Sequence, residues 1–114
     1  LNQGTLDSEV PSLQSQSFPT VIGGNGFLKI NALSGNSGEV ILSGANTYGG
    51  TTSVEAGSLI FSGPLSGLST SLFINSNALV DFEVGATDTF SGAISGNGSL
   101  YLNKNGAIGG LTLT

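Results

Sequence analysis

The chain has 114 residues, a length that suits one domain around one core. Only 8% of its residues are charged, against roughly 25% in an ordinary soluble domain, and the net charge is −5 with Lys29 and Lys104 as the only cations. So few cations exclude nucleic-acid binding and disfavour an anionic membrane surface, and the absence of Cys excludes disulfides, thiolate metal sites and thiol catalysis.

No run approaches the ~18 apolar residues of a membrane span, so no insertion of this chain into a membrane is expected. Leu, Ile, Val and Phe recur throughout the chain and exceed the share found in disordered segments. Gly, Ser, Thr and Asn fill the place of the missing charges. Such a composition favours strands and turns and is poor in helix formers.

Residues 1–17, LNQGTLDSEVPSLQSQS, stand apart, with two acids, a proline and no clear alternation. They are expected to be a tail, cap or linker. No starting Met and no basic-then-apolar leader is present, so Leu1 is expected to be a processed or artificial N-terminus.

From Phe18 onward short alternating segments lie between glycine-rich turns. Strands are predicted at 18–22, 27–31, 39–43, 51–55, 58–62, 71–75, 78–84, 89–95, 99–103 and 111–114. Apolar residues at i, i+3, i+4 and i+7 occur nowhere without crossing glycines, so helices are not expected.

Alternation places one set of side chains inward. The set begins with Leu28 and Ile30, Val40 and Leu42, Val54 and Ala56, Leu59 and Phe61. It continues with Leu72 and Ile74, the trio Val80, Phe82 and Val84, Phe90 and Ile94, Leu100 and Leu102, Leu111 and Leu113. The opposite side carries Lys29, Glu39, Ser53, Glu55, Asp81, Glu83 and Thr112.

The chain also repeats. GGNGFLKIN at 23–31 aligns with SGNGSLYLN at 95–103, and VILS at 40–43 aligns with LTLT at 111–114. Two all-β architectures fit. An antiparallel sandwich would use Asn25-Gly26, Asn97-Gly98 and Asn105-Gly106 as hairpin turns. A β-solenoid would use the same glycines at the corners of a coil. The long repeat, the short strands and turns of varied length favour the solenoid.

One stretch carries a resemblance. SGANTYGGTTSVEAGSLIFSG, Ser43 to Gly63, resembles the passenger-associated transport repeat of bacterial autotransporters, and SGNGSLYLNKNGAIGGLTLT at 95–114 is similar to the segment that leads into that motif. The resemblance covers about residues 22–63 and 92–114, and its defining turn is Gly44, Asn46, Tyr48, Gly49 and Gly50. It implies a right-handed parallel β-helix in a passenger exported to the surface of a Gram-negative bacterium. It carries no catalytic residue. The usual motif has one more residue between the Tyr and the Gly-Gly, whereas Tyr48 runs directly into Gly49 here.

Chemistry-bearing candidates are few. Asp81 and Glu83 share one strand face, a pattern that can bind Ca²⁺ or hydrolyse glycosides but usually marks a solvated outer face, with Asp88 near in sequence. IGGNGFLKI begins like a calcium nonapeptide, yet Leu28 stands where Asp is needed. It is no dinucleotide loop either, since Lys29 replaces the third Gly. Without His no Ser-His-Asp triad forms, which leaves only a Ser-Lys pair with Lys29 or Lys104. Asn97-Gly98-Ser99 is a glycosylation acceptor in some secreted proteins but is expected to be a turn. Asn31, Asn75 and Asn103 end strands and suit solenoid corners, where Asn tolerates left-handed backbone and can bond its copy on the next rung.

Phe27, Ile41, Ile60, Phe73, Leu79 and Tyr101 fall on the outward side of the alternation and form a candidate apolar contact surface. These observations point to a non-enzymatic, cell-surface or secreted β-solenoid, the stalk or scaffold of an autotransporter-like passenger or adhesin, without cofactor or metal. The expected partners are other parts of a larger passenger, copies of the chain itself, or a host or neighbouring cell surface. The alternative is a self-assembling filament stacked end to end, with residues 1–17 contacting a neighbour.

Overall fold

In a computed structural model the fold is described for residues 5–12, 14–19, 22–24, 26–31, 37–63, 65, 68, 70–83, 88–90, 92–102 and 111–113. It is all-β, and every strand pair is parallel. The strands are β1 (Thr5–Ser8), β2 (Ser15–Phe18), β3 (Phe27–Ile30), β4 (Glu39–Leu42), β5 (Thr51–Val54), β6 (Gly57–Phe61), β7 (Ser71–Ile74), β8 (Ala78–Phe82), β9 (Asp88–Phe90), β10 (Ile94–Gly96), β11 (Ser99–Leu102) and β12 (Leu111–Leu113).

Successive strands enter different sheets. Sheet A runs β1-β3-β5-β7-β10, sheet B runs β11-β8-β6-β4-β2, and sheet C holds β12-β9. The chain is therefore a parallel β-solenoid of about four turns, and the sandwich alternative is excluded. The coil closes soonest between the register partners Glu39 and Ser58, and takes a longer path between Leu28 and Thr52.

Columns of like side chains fill the interior. In sheet B, Val40, Leu59 and Val80 stack in register, as do Leu42, Phe61 and Phe82, all buried. The Phe61 and Phe82 rings stack with centroids 5.4 Å apart, and Phe90 of sheet C packs against Phe82 from the next side of the coil at 5.3 Å with a tilt. In sheet A, Ile30, Val54 and Ile74 form one buried column, while Leu28, Thr52 and Leu72 form another. The predicted inward set is buried where described, with three differences. Thr52, not Ala56, is the inward neighbour of Val54 on β5. Ile94 is half-buried, and Leu100 is 37% exposed because its coil lies at the edge of the stack. Val84, Leu102, Leu111 and Leu113 fall outside the residues whose side chains are described.

Three strand expectations change. Residues 1–17 were expected to lack strands, yet β1 pairs with β3 and β2 with β4, so the described part of this segment is the first coil. The predicted strand 18–22 is centred earlier, on β2, and the predicted strand 89–95 is two strands, β9 and β10, in different sheets. The chain bends between them at Gly92, where a Cβ would lie 1.9 Å from the Thr70 carbonyl oxygen.

The sequence repeat is out of phase with the coil. Aligning 23–31 with 95–103 carries β3 of sheet A onto β11 of sheet B, and the matching alignment of 40–43 carries β4 of sheet B onto β12 of sheet C. Each repeat thus advances by whole coils plus one side.

Candidate functional site

The Gly44–Gly50 run was expected to be the turn at a corner of the coil. It is instead an extended side of the coil, with bends at Gly44 and Gly50. Gly44, Asn46 and Tyr48 are buried, whereas Ala45, Thr47 and Gly49 are exposed. The backbone of this run sits on the coil beneath, where the Thr47 amide donates to Ile22 O at 2.8 Å and the Gly49 amide to Gly24 O at 2.9 Å. The Asn46 side chain accepts from the Ile22 amide at 2.8 Å. Gly50 closes the run because a Cβ there would lie 2.0 Å from the Gly26 carbonyl oxygen.

Tyr48 anchors a buried hydroxyl chain. Its Oη lies 2.7 Å from Thr52 Oγ1, which lies 2.8 Å from Thr70 Oγ1, and Thr70 donates to Gly50 O. All three side chains are fully buried. Each hydroxyl has a partner, so the network holds the corner without leaving polar groups unsatisfied. Burial pushes the Tyr48 phenol well above its usual range, while the Thr52 and Thr70 hydroxyls pull the other way. A neutral phenol with no access to solvent is a structural group.

Asn31 does similar work at the next corner. Its φ is 56°, its Oδ1 accepts from the Val10 amide at 2.7 Å, and its Nδ2 donates to Gly38 O and Ala56 O at 2.9 and 3.0 Å. The left-handed backbone agrees with expectation. Its partners are backbone groups on three coils rather than an Asn copy. Asn75 likewise donates to Glu55 O at 3.2 Å. Asn103 lies outside the described residues.

The candidate apolar surface does not form one stripe. Phe27 and Phe73 lie on sheet A, in different columns. Ile41, Ile60 and Tyr101 share one outer column of sheet B, and Leu79 stands in the next. Phe27, Phe73 and Tyr101 are 40–49% exposed, whereas Ile41 and Leu79 are half-buried and Ile60 is only 7% exposed. Ile60 is thus no contact residue in this structure. Asp81, its register partner, is 1% exposed, which corrects the expectation of a solvated carboxylate; Glu83 is half-buried.

Two open cavities, of about 520 and 310 Å³, adjoin at the corner between sheets A and B. They share Gln14 and Ser15, and the larger also meets Glu9 and Gln16, the smaller Glu39 and Ser58. Nearby, a hydrogen bond that the protonated Asp7 carboxyl donates to Glu9, together with partial desolvation and the Glu9 charge, raises Asp7 above its ordinary range, against the pull of Lys29. Among the described residues no group of three His, Cys, Asp or Glu is placed to hold a metal ion. Comparison with family models, with curated proteins and with solved structures gives no match to this chain.

Proposed function

We propose that the chain is a non-enzymatic, surface-exposed or secreted β-solenoid that serves as stalk or scaffold in an autotransporter-like passenger or adhesin. The observation that carries this reading is the fate of the most distinctive stretch. Gly44, Asn46 and Tyr48 point into the coil, where Asn46 and Tyr48 bond to backbone and hydroxyl groups of the fold itself. A run with its polar groups spent on neighbouring coils supports a building role. The parallel ladder gives a stiff rod segment, able to space or present other parts of a longer chain. The resemblance to transport repeats supports the export setting, and Asn46 and Tyr48 fill interior positions that a repeat of this kind must fill to stack.

The test is display. The chain is placed between an outer-membrane barrel and an epitope tag in a Gram-negative host, and surface epitope is counted by flow cytometry. Display is expected for the wild type and for Ser53→Ala, on the outer face of β5, with loss for Val54→Asp in the buried column. Equal display of Val54→Asp, or no display of the wild type, overturns the reading.

A further inference from the structure

We propose that the outer face of sheet A binds a neutral, linear, β-linked polysaccharide, with Phe27 and Phe73 as stacking platforms and Thr51 as the hydroxyl between them. The scaffold role does not depend on this; the inference adds a ligand and names its surface.

The first argument is where the rings stand. Phe27, Thr51, Ser71 and Phe73 are exposed, while Leu28, Thr52 and Leu72 beside them point inward. β3, β5 and β7 each have a strand on both sides, so this face lies in the middle of the stack. Among the described residues the exposed large apolar side chains are Phe27, Phe73, Leu100 and Tyr101, and the last two belong to β11 at the rim of sheet B. Neither Phe27 nor Phe73 belongs to the core, and each leaves apolar surface in water. The Phe27 ring leans over Gly50 of the next coil, where a Cβ would lie 3.0 Å from its Cδ1. Single exposed apolar residues are ordinary, but two aromatic rings on one sheet face form a pair of platforms.

The second argument is spacing. Lys29, Ser53 and Phe73 are register partners across β3, β5 and β7, and Phe27 stands two residues before Lys29. Two strand steps and two residues therefore separate the phenylalanines, a diagonal of about 12 Å between their backbone positions. An unbranched β-linked chain of hexoses runs nearly straight, and its alternate rings are separated by a similar length. Two such rings on Phe27 and Phe73 leave the ring between them over β5. There Thr51, one residue before the Leu28–Thr52 register pair, offers its hydroxyl, while Ser53 donates to Glu55. Pyranoses with equatorial substituents carry C–H groups on both faces and hydroxyls around the rim. The C–H groups match the electron-rich face of a phenyl ring, and the rim matches a hydroxyl that both donates and accepts.

The third argument is charge. Lys29 is the only charged residue of β3, β5 and β7, and its register partner Asp7 on β1 opposes it. The chain as a whole carries −5. An anionic polysaccharide meets repulsion from that net charge, and a basic peptide finds no acidic row on this face. An uncharged glycan is the partner that the face complements.

The test is affinity electrophoresis of the 114-residue chain through gels that hold hydroxyethyl cellulose, with polygalacturonate as the anionic control, and amide NMR during titration with cellohexaose. Hydroxyethyl cellulose is expected to retard the wild type, and amide shifts should concentrate on β3, β5 and β7. Phe27→Ala and Phe73→Ala should each raise the dissociation constant roughly tenfold through loss of one aromatic anchor, whereas Tyr101→Ala on sheet B should bind as the wild type does. Phe27→Leu and Phe73→Leu keep apolar bulk and lose the ring. They replace either alanine variant that circular dichroism shows to be unfolded, and they too should bind weakly. The proposal is overturned by stronger retardation in polygalacturonate, by no retardation in hydroxyethyl cellulose, by shifts centred outside sheet A, or by leucine variants that bind as the wild type does. It is equally overturned if the phenylalanine variants turn a wild-type dimer into a monomer in analytical ultracentrifugation without cellulose, since the face then serves a second copy.

Discussion

At the scale of residues, the interior decides between packing and hydrogen bonding. Leu59 is fully buried in the middle of its column, whereas Leu100 lies at the edge of the same column. A carboxylate at the first site has no water, so Leu59→Asp should cost more than about 3 kcal/mol or prevent folding. Leu100→Asp should cost within about 1 kcal/mol in thermal melts of the monomer. Equal losses would mean that the column is misplaced. The hydroxyl chain makes a second prediction. Thr52→Val leaves the Tyr48 hydroxyl buried without Thr52, so it should cost about 1–3 kcal/mol and exceed the loss in Tyr48→Phe. The phenol's pKa is raised on folding, so the folded state holds its proton longer than the unfolded chain. Stability from this group is full below its ordinary value near 10 and falls as pH rises beyond it. Tyr48→Phe should remove that part of the alkaline loss in denaturant titrations at successive pH values.

At the scale of elements, corners depend on close backbone approach. Gly57 has φ 74°, and a Cβ there would lie 2.3 Å from Gly38 O, so Gly57→Ala should destabilise by about 1–3 kcal/mol through both strain and contact. A loss no larger than that of Ser53→Ala would show the β5–β6 corner to be looser than described. The strands themselves were legible, because Leu28, Ile30, Val40, Leu42, Leu59 and Phe61 alternate cleanly. The Ser43–Gly50 side was not legible as extended chain. Its inward residues are Gly44, Asn46 and Tyr48, and a hydrophobic alternation cannot register glycine and asparagine. The first coil hid for the same reason: the buried Ser8 and the exposed Gln16, in register with Ile30 and Val40, bond each other at 2.9 Å where apolar residues would have shown the alternation. Asp81 misled in the opposite direction, since alternation does give it the outer side of β8 and says nothing of what covers that side.

At the scale of the molecule, stability should be graded along the stack. β4, β6 and β8 each have a strand on both sides, while β2 has one neighbour and three exposed residues. Native-state amide exchange should therefore be slowest in the three inner strands and fastest in β2. Uniform protection would contradict a solenoid whose coils meet only their neighbours. The repeat adds a whole-molecule lesson. Similarity between 23–31 and 95–103 identified a repeating chain, but the coil closes over far shorter spans, such as Ser15 to Glu39 and Glu39 to Ser58. The repeat therefore maps one side of the coil onto the next. A sequence repeat reports ancestry of segments, whereas the coil length follows from how much chain reaches round the core. The most direct test of the account is through-space NMR contact along the backbone. In-register parallel neighbours Val40, Leu59 and Val80 should show amide-to-α-proton contacts, as should Thr47 with the Ile22–Gly23 backbone. Short contacts between α-protons across the Ala56-Gly57 turn would mark an antiparallel hairpin and contradict the parallel solenoid.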